Sequence, residues 1–186
     1  MNELKLTALK SLLQDHAPVR ARKHFGFLPG RDSSVPLQAG NLIEILGEGQ
    51  MTFVTSVLKD RPESRVAWLS DFENELCPLA LVQEKVELSR ILFLEKVSPA
   101  QGMDILLTIL KSQLFSVLVF PQCFLPKRSF DAQVRKLTLT AEESGSILLM
   151  LSQKHTSSYG INIQVDTEDA DELRLNKVKG GIGTHE

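Results

Sequence analysis

The residues with the strongest claim to chemistry lie between positions 47 and 52. Gly47-Glu48-Gly49-Gln50-Met51-Thr52 follows an apolar run, 42–46, and precedes an apolar segment of helical length. That strand–loop–helix setting is the one a phosphate-binding loop occupies. A working loop has the pattern G-x-x-x-x-G-K-[ST]: backbone N–H groups wrap the phosphates, the lysine reaches the terminal ones and the hydroxyl holds Mg²⁺. Here the loop is shortened, lysine is absent, and Gln50 and Met51 stand where the cation belongs. Glu48 adds charge of the wrong sign beside phosphate. The second half of such a site is an acidic residue at the end of a later apolar strand, where it holds the metal through water. The corresponding run, 115–120, ends in Pro121-Gln122, and proline cannot coordinate a metal. Positioning and electrostatics supply nearly all the catalysis in phosphoryl transfer, so losses on both sides of one pocket predict no hydrolysis. Gly47 and Gly49 then serve either as a plain strand-to-helix turn or as a loop with residual nucleotide binding.

The other reactive side chains are scattered. His16 and His24 lie in an N-terminal arm, His155 follows a strand and His185 is near the end, so no nucleophile, base and orienting group converge. Cys77 and Cys123 have no neighbouring Cys or His at zinc spacing. No metal site or disulfide framework is expected, and both thiols are expected to be buried. No cofactor is expected either. Ser152, Gln153 and His155 follow the apolar run 147–151, at a strand end where open α/β sheets place ligands. Lys127, Arg128, Arg135 and Lys136, with Lys154 and His155, are either a solvated face or the cations a nucleic acid would meet.

The elements that must position these groups are legible as a pattern. The chain has 186 residues, 42% apolar and 24% charged, with a formal charge of −2, which fits one domain with a sizeable core and gives no global field toward nucleic acid or anionic membrane. No apolar run approaches the roughly 18 residues of a membrane helix, and the first thirteen residues lack a signal-peptide core, so a cytoplasmic location is expected. From Asn41 short apolar runs alternate with amphipathic segments, the ingredients of a parallel sheet with crossover helices. Strands are expected at 42–46, 65–69, 91–94, 115–120 and 147–151, nearly continuous in apolar residues as buried parallel strands should be. Helices are expected at 50–58, 78–84, 99–113 and 129–143, for example from Met103, Leu106, Leu107 and Leu110, with Ser98 as cap and Pro99 in the first turn. Segments 160–165 and 173–178 alternate in apolar character and read as antiparallel edge strands. The stretch 166–172, with five acidic residues in seven, reads as the turn between them.

Ahead of the core, Leu4, Leu6, Leu9, Leu12 and Leu13 form one face of an N-terminal helix. A Pro- and Gly-bearing arm with anchoring Phe25, Phe27 and Leu28 follows. The expected division is helix and arm at 1–37, core at 38–179 and tail at 180–186. Leu6, Leu9 and Leu13, with Phe25 and Phe27, either cover this domain's own core or dock on a partner.

The order of segments resembles the RecA recombinase family, over about 38–179. Gly40-Asn41-Leu42-Ile43-Glu44-Ile45-Leu46-Gly47 resembles the strand leading into the family's phosphate loop, including its glutamate. Val66-Ala67-Trp68-Leu69-Ser70-Asp71-Phe72-Glu73, with Leu76-Cys77-Pro78, resembles the next strand and its proline-started helix. Arg135-Lys136-Leu137 and Met150-Leu151-Ser152-Gln153 resemble the last core helix and strand. The resemblance implies a RecA-like three-layer sandwich with a mainly parallel sheet and antiparallel strands at its C-terminal edge. It places Phe72 where RecA has its catalytic glutamate, with Glu73 one residue late, and Gln153 where RecA has a nucleotide-sensing glutamine. RecA's DNA-binding loops arise at the same sheet edge; here the links 121–129 and 153–159 are too short for them. Two RecA-like groups lack ATPase motifs: ImuA, an accessory of damage-induced mutagenesis, and SulA, a cell-division inhibitor. The leucine helix, the arm and the end Leu173-Arg174-Leu175-Asn176-Lys177-Val178-Lys179-Gly180-Gly181 are more similar to ImuA. That similarity implies a non-catalytic partner of an ImuB-like polymerase scaffold and of RecA itself, with self-association open. A SulA-like inhibitor and a residual ATPase are the alternatives.

Overall fold

The structure, a computed structural model, describes residues 24–27, 35–72, 78–169 and 172–178. The expected N-terminal helix with Leu6, Leu9 and Leu13, and the positions of Glu73 and Cys77, lie outside the described residues.

The core strands form where the apolar runs predict them. They are β3 (Leu42–Leu46), β4 (Val66–Leu69), β5 (Ile91–Leu94), β6 (Val117–Pro121) and β7 (Ile147–Leu151). Together with β8 (Ile163–Asp169) and β9 (Glu172–Val178) they make a seven-stranded sheet in the order β5-β4-β6-β7-β3-β8-β9. The first six are parallel to one another and β9 runs antiparallel to β8. Ahead of the sheet, β1 (His24–Phe27) and β2 (Pro36–Gln38) pair separately as an antiparallel ribbon, which gives Phe25 and Phe27 a strand backbone. Leu37 of β2 is fully buried, and Val35 and Ala39 beside it pack on the core.

The period of two along each strand sorts side chains to opposite faces, and both faces are covered. On one face Ile43, Ile45, Val66, Trp68, Val119 and Leu149 pack beneath α1 (Gln50–Lys59) and α2 (Pro78–Gln83). On the other, Leu69, Leu118, Phe120, Leu148 and Met150 pack beneath α3 (Pro99–Ser112) and α4 (Phe130–Ser144). The protein is therefore an α/β domain with helices on both sides of a parallel sheet, and central strands buried on both faces read as continuous apolar runs. Each fully buried Leu, Ile or Val contributes about 1.5–3 kcal/mol. The stripe Met103, Leu106, Leu107 and Leu110 on α3 is buried as its spacing predicts. Ser98 occupies the N-cap with Pro99 behind it, although its hydroxyl makes no capping bond. Arg90 locks the far edge: its guanidinium donates to the carbonyls of Leu58, Arg61 and Ser64 at 2.8–2.9 Å, closing the end of α1. Burial lowers the pKa of Arg90 and of Arg61, opposed by Glu87 and Asp60 respectively.

Two expectations about the C-terminal edge are corrected. β8 is not an antiparallel edge strand but pairs in parallel with β3, Ile43 opposite Ile163 and Ile45 opposite Val165. The reason is the connection before it. Instead of turning back as a hairpin, 152–162 crosses the length of β3 and returns the chain to the strand's start. There Asn162 accepts a hydrogen bond from Leu42 N at 2.9 Å and donates its own N–H to Leu42 O at 3.0 Å. The acidic stretch 166–172 is also mostly strand rather than turn, since β8 runs to Asp169 and β9 begins at Glu172. No helix among the described residues is long and apolar enough to cross a membrane.

Candidate functional site

The carboxyl ends of β3, β4, β6 and β7 lie side by side, and the groups singled out by the sequence gather there. At the end of β3, Gly47 adopts φ +90°, a left-handed turn that glycine takes without strain. Gly49 has an ordinary φ of −81° and caps α1, so its smallness has another cause. Its N–H donates to Thr167 O at 3.0 Å, and a Cβ there would stand 2.8 Å from that oxygen. Both glycines are thus required by the turn and by strand β8. Thr167 Oγ1 donates to Leu46 O and fastens the same corner.

Gln50 fills the place of the missing lysine. Its Nε2 donates to Ile45 O at 2.8 Å and to Ser152 O at 2.7 Å, bridging the ends of β3 and β7. Glu48 and Thr52 are exposed, whereas Met51 is half-buried against the α1 side of the core. Pro121 is buried as the last residue of β6, opposite Leu151. Phe72, just past β4, is 64% exposed, and its phenyl ring can supply no base.

Along the same edge a cleft of about 590 Å³ opens between 121–130 and 151–155. Asp71 from the end of β4 lies in it, 7% exposed, and its Oδ2 accepts from the Cys123 thiol at 3.1 Å. Cys123 is exposed, which corrects the expectation of a buried thiol. The 3-10 turn 122–124 gives its inward position to Phe124, fully buried against α3. Gly102 makes that fit possible, because a Cβ at 102 would stand 2.2 Å from Phe124 Cγ. Gln153, the sensor position by resemblance, is exposed on the rim with Lys154 and His155. His155 Nε2 lies 3.8 Å from Asp166 Oδ2 of β8.

Of the cations noted in sequence, Lys127 reaches the cleft and meets Lys154 and His155 there. Arg128 is exposed beside it, and Arg135 and Lys136 sit exposed on α4 outside the lining. The side chains of Phe25 and Phe27 lie outside the described residues.

One buried polar group, read in sequence only as the glutamate of its strand, has a structural role. Glu44, fully buried in β3, accepts from Gln164 Nε2 at 2.6 Å and from Thr156 N at 3.4 Å, while Gln164 also donates to Thr156 O at 2.7 Å. Glu44 therefore pins the crossing segment to the sheet. The signal was present as Gln164 alternating with Ile163 and Val165, two residues before Asp166. No group of three or more His, Cys, Asp or Glu able to hold a metal occurs among the described residues.

No family model matches the chain, and no curated protein matches it.

Proposed function

We propose that this chain is a RecA-like protein that does not turn over nucleotide and works by binding other proteins in DNA-damage-induced mutagenesis, as an ImuA-like adaptor. The observation that carries the loss of turnover is the paired hydrogen bond of Gln50. An amide committed to Ile45 O and Ser152 O replaces the mobile cation that phosphoryl transfer needs. Pro121 at the metal position and the outward Phe72 agree with it.

The RecA-like reading draws support from strand order. The resemblance assigns the phosphate loop, the catalytic carboxylate, the metal and the sensor to the ends of β3, β4, β6 and β7, and these are consecutive neighbours, β4-β6-β7-β3. Protein binding draws support from the opposite flank. Phe72, Leu79 and Val82 expose 64%, 68% and 50% of their surface, and the edge strand β5 leaves Leu92, Phe93 and Leu94 half-buried. Exposed large apolar side chains and an unpaired sheet edge suit protein contact.

Deleting the gene should lower damage-induced mutation while division stays normal, and the purified chain should bring down a polymerase-like scaffold. Filamentation on overexpression would instead favour the division-inhibitor reading. ATP turnover abolished by Glu73→Gln would favour an ATPase.

A further inference from the structure

We propose that the cleft between 121–130 and 151–155 is a docking site for a short acidic segment of a partner protein, one that places an apolar side chain between its carboxylates. The proposal rests on the adaptor reading and names the chemistry of the partner.

The floor and the rim of the cleft ask for different things. Leu125, Phe130 and Leu151 line it with apolar surface, enough to receive one large aliphatic or aromatic side chain. Lys127 on one side and Lys154 on the other bring positive charge to the rim, where flanking carboxylates would lie, and His155 beside Lys154 adds ring nitrogens that can hydrogen-bond. Gln122 and Gln153 each offer an amide donor and an acceptor to a peptide backbone crossing between the two loops.

Nucleic acid fits the same features less well. Asp71, a buried carboxyl in the cleft lining, disfavours a phosphate that enters but not a hydrocarbon side chain. A phosphodiester chain also needs a continuous track of cations, and Arg135 and Lys136 stand outside the lining.

The rim is held before any partner arrives. Ahead of 153–155, Ser152 N donates to Ile45 O at 3.0 Å and Ser152 O accepts from Gln50; behind it Thr156 N donates to Glu44 and Ser158 Oγ to Asp131 Oδ1, so the segment is fixed at both ends. Pre-ordered loops lower the entropy lost on binding.

The test uses the full chain and a fluorescein-labelled peptide Glu-Asp-Leu-Phe-Asp-Glu, read by fluorescence anisotropy. Expected are saturable, salt-weakened binding and an affinity about tenfold lower for the double variant Lys127→Glu/Lys154→Glu. The double variant Arg135→Glu/Lys136→Glu should bind as the wild type does. Saturating peptide should also slow alkylation of Cys123 several-fold, read at that residue by mass spectrometry. Circular dichroism confirms that each variant is folded. Absence of saturable binding, equal affinity of the Lys127/Lys154 variant, unprotected Cys123, or displacement of the peptide by an oligothymidylate at lower concentration would each overturn the proposal. The adaptor reading fails separately, if the deletion leaves damage-induced mutation unchanged.

Discussion

Two neighbouring stretches of one sheet edge have opposite fates. In the turn after β3, carbonyls that face one another at the ends of β3 and β7 are bridged by the Gln50 amide, and Gly49 lies against the backbone of β8. Backbone groups at this strand end are used by the chain itself. In the cleft after β6 and β7, Pro121 brings no N–H, and two 3-10 turns turn Phe124 inward while leaving Cys123 and Lys127 outside. The difference shows that one strand end can satisfy its polar atoms within the chain while adjoining strand ends of the same sheet stay open.

The comparison breaks most easily at Phe124. Phe124→Ala should destabilise the fold by about 3–5 kcal/mol, measured by guanidinium unfolding, because it empties a fully buried site under α3. The two tight glycines come next. Gly102→Ala and Gly49→Ala should each cost about 1–3 kcal/mol by overpacking, one against Phe124 and the other against Thr167 O. Only the first should alter the rate of Cys123 alkylation, which separates cleft from turn. Gln50→Leu should cost about 1–2 kcal/mol in the same unfolding assay, since Ile45 O and Ser152 O lose their shared donor. Gln50→Lys should not create ATP turnover in a coupled assay, because the buried Pro121 at the end of β6 still offers no carboxylate to a metal. The smallest effect lies outside both stretches: Lys59→Ala removes an exposed 3.1 Å pair with Glu84 and should change stability by no more than about 0.5 kcal/mol.

What the sequence revealed depended on whether burial and polarity coincided. The run Leu42–Leu46 was legible as a central strand although it contains Glu44, because four apolar neighbours outweigh one carboxylate. β8 was misread for the converse reason. Asn162 and Gln164, set between Ile161, Ile163 and Val165, gave 160–165 an alternating pattern that resembles a half-wetted antiparallel strand, yet Gln164 is buried and hydrogen-bonded to Glu44. Periodicity records polarity and not whether the polar partner is water or another side chain. That the turn 47–52 lacks a phosphate loop's lysine was legible in the sequence, but the bonds that hold the turn join residues 5 and 102 positions apart. The cleft was less legible still, since it is assembled from the ends of three strands and from a 3-10 turn that exposes Cys123 against the usual habit of a free thiol.

Trp68 has an optical consequence. It is the chain's single tryptophan and sits on β4 in the core cluster beneath α1 and α2, 2% exposed, with Phe93 of β5 and Val119 of β6 as its cross-strand neighbours. Its emission should be that of a dry interior and should shift to the red only when the sheet itself comes apart. A ligand in the cleft would leave it almost silent, so one spectrum can follow unfolding while a labelled peptide follows binding in the same cuvette.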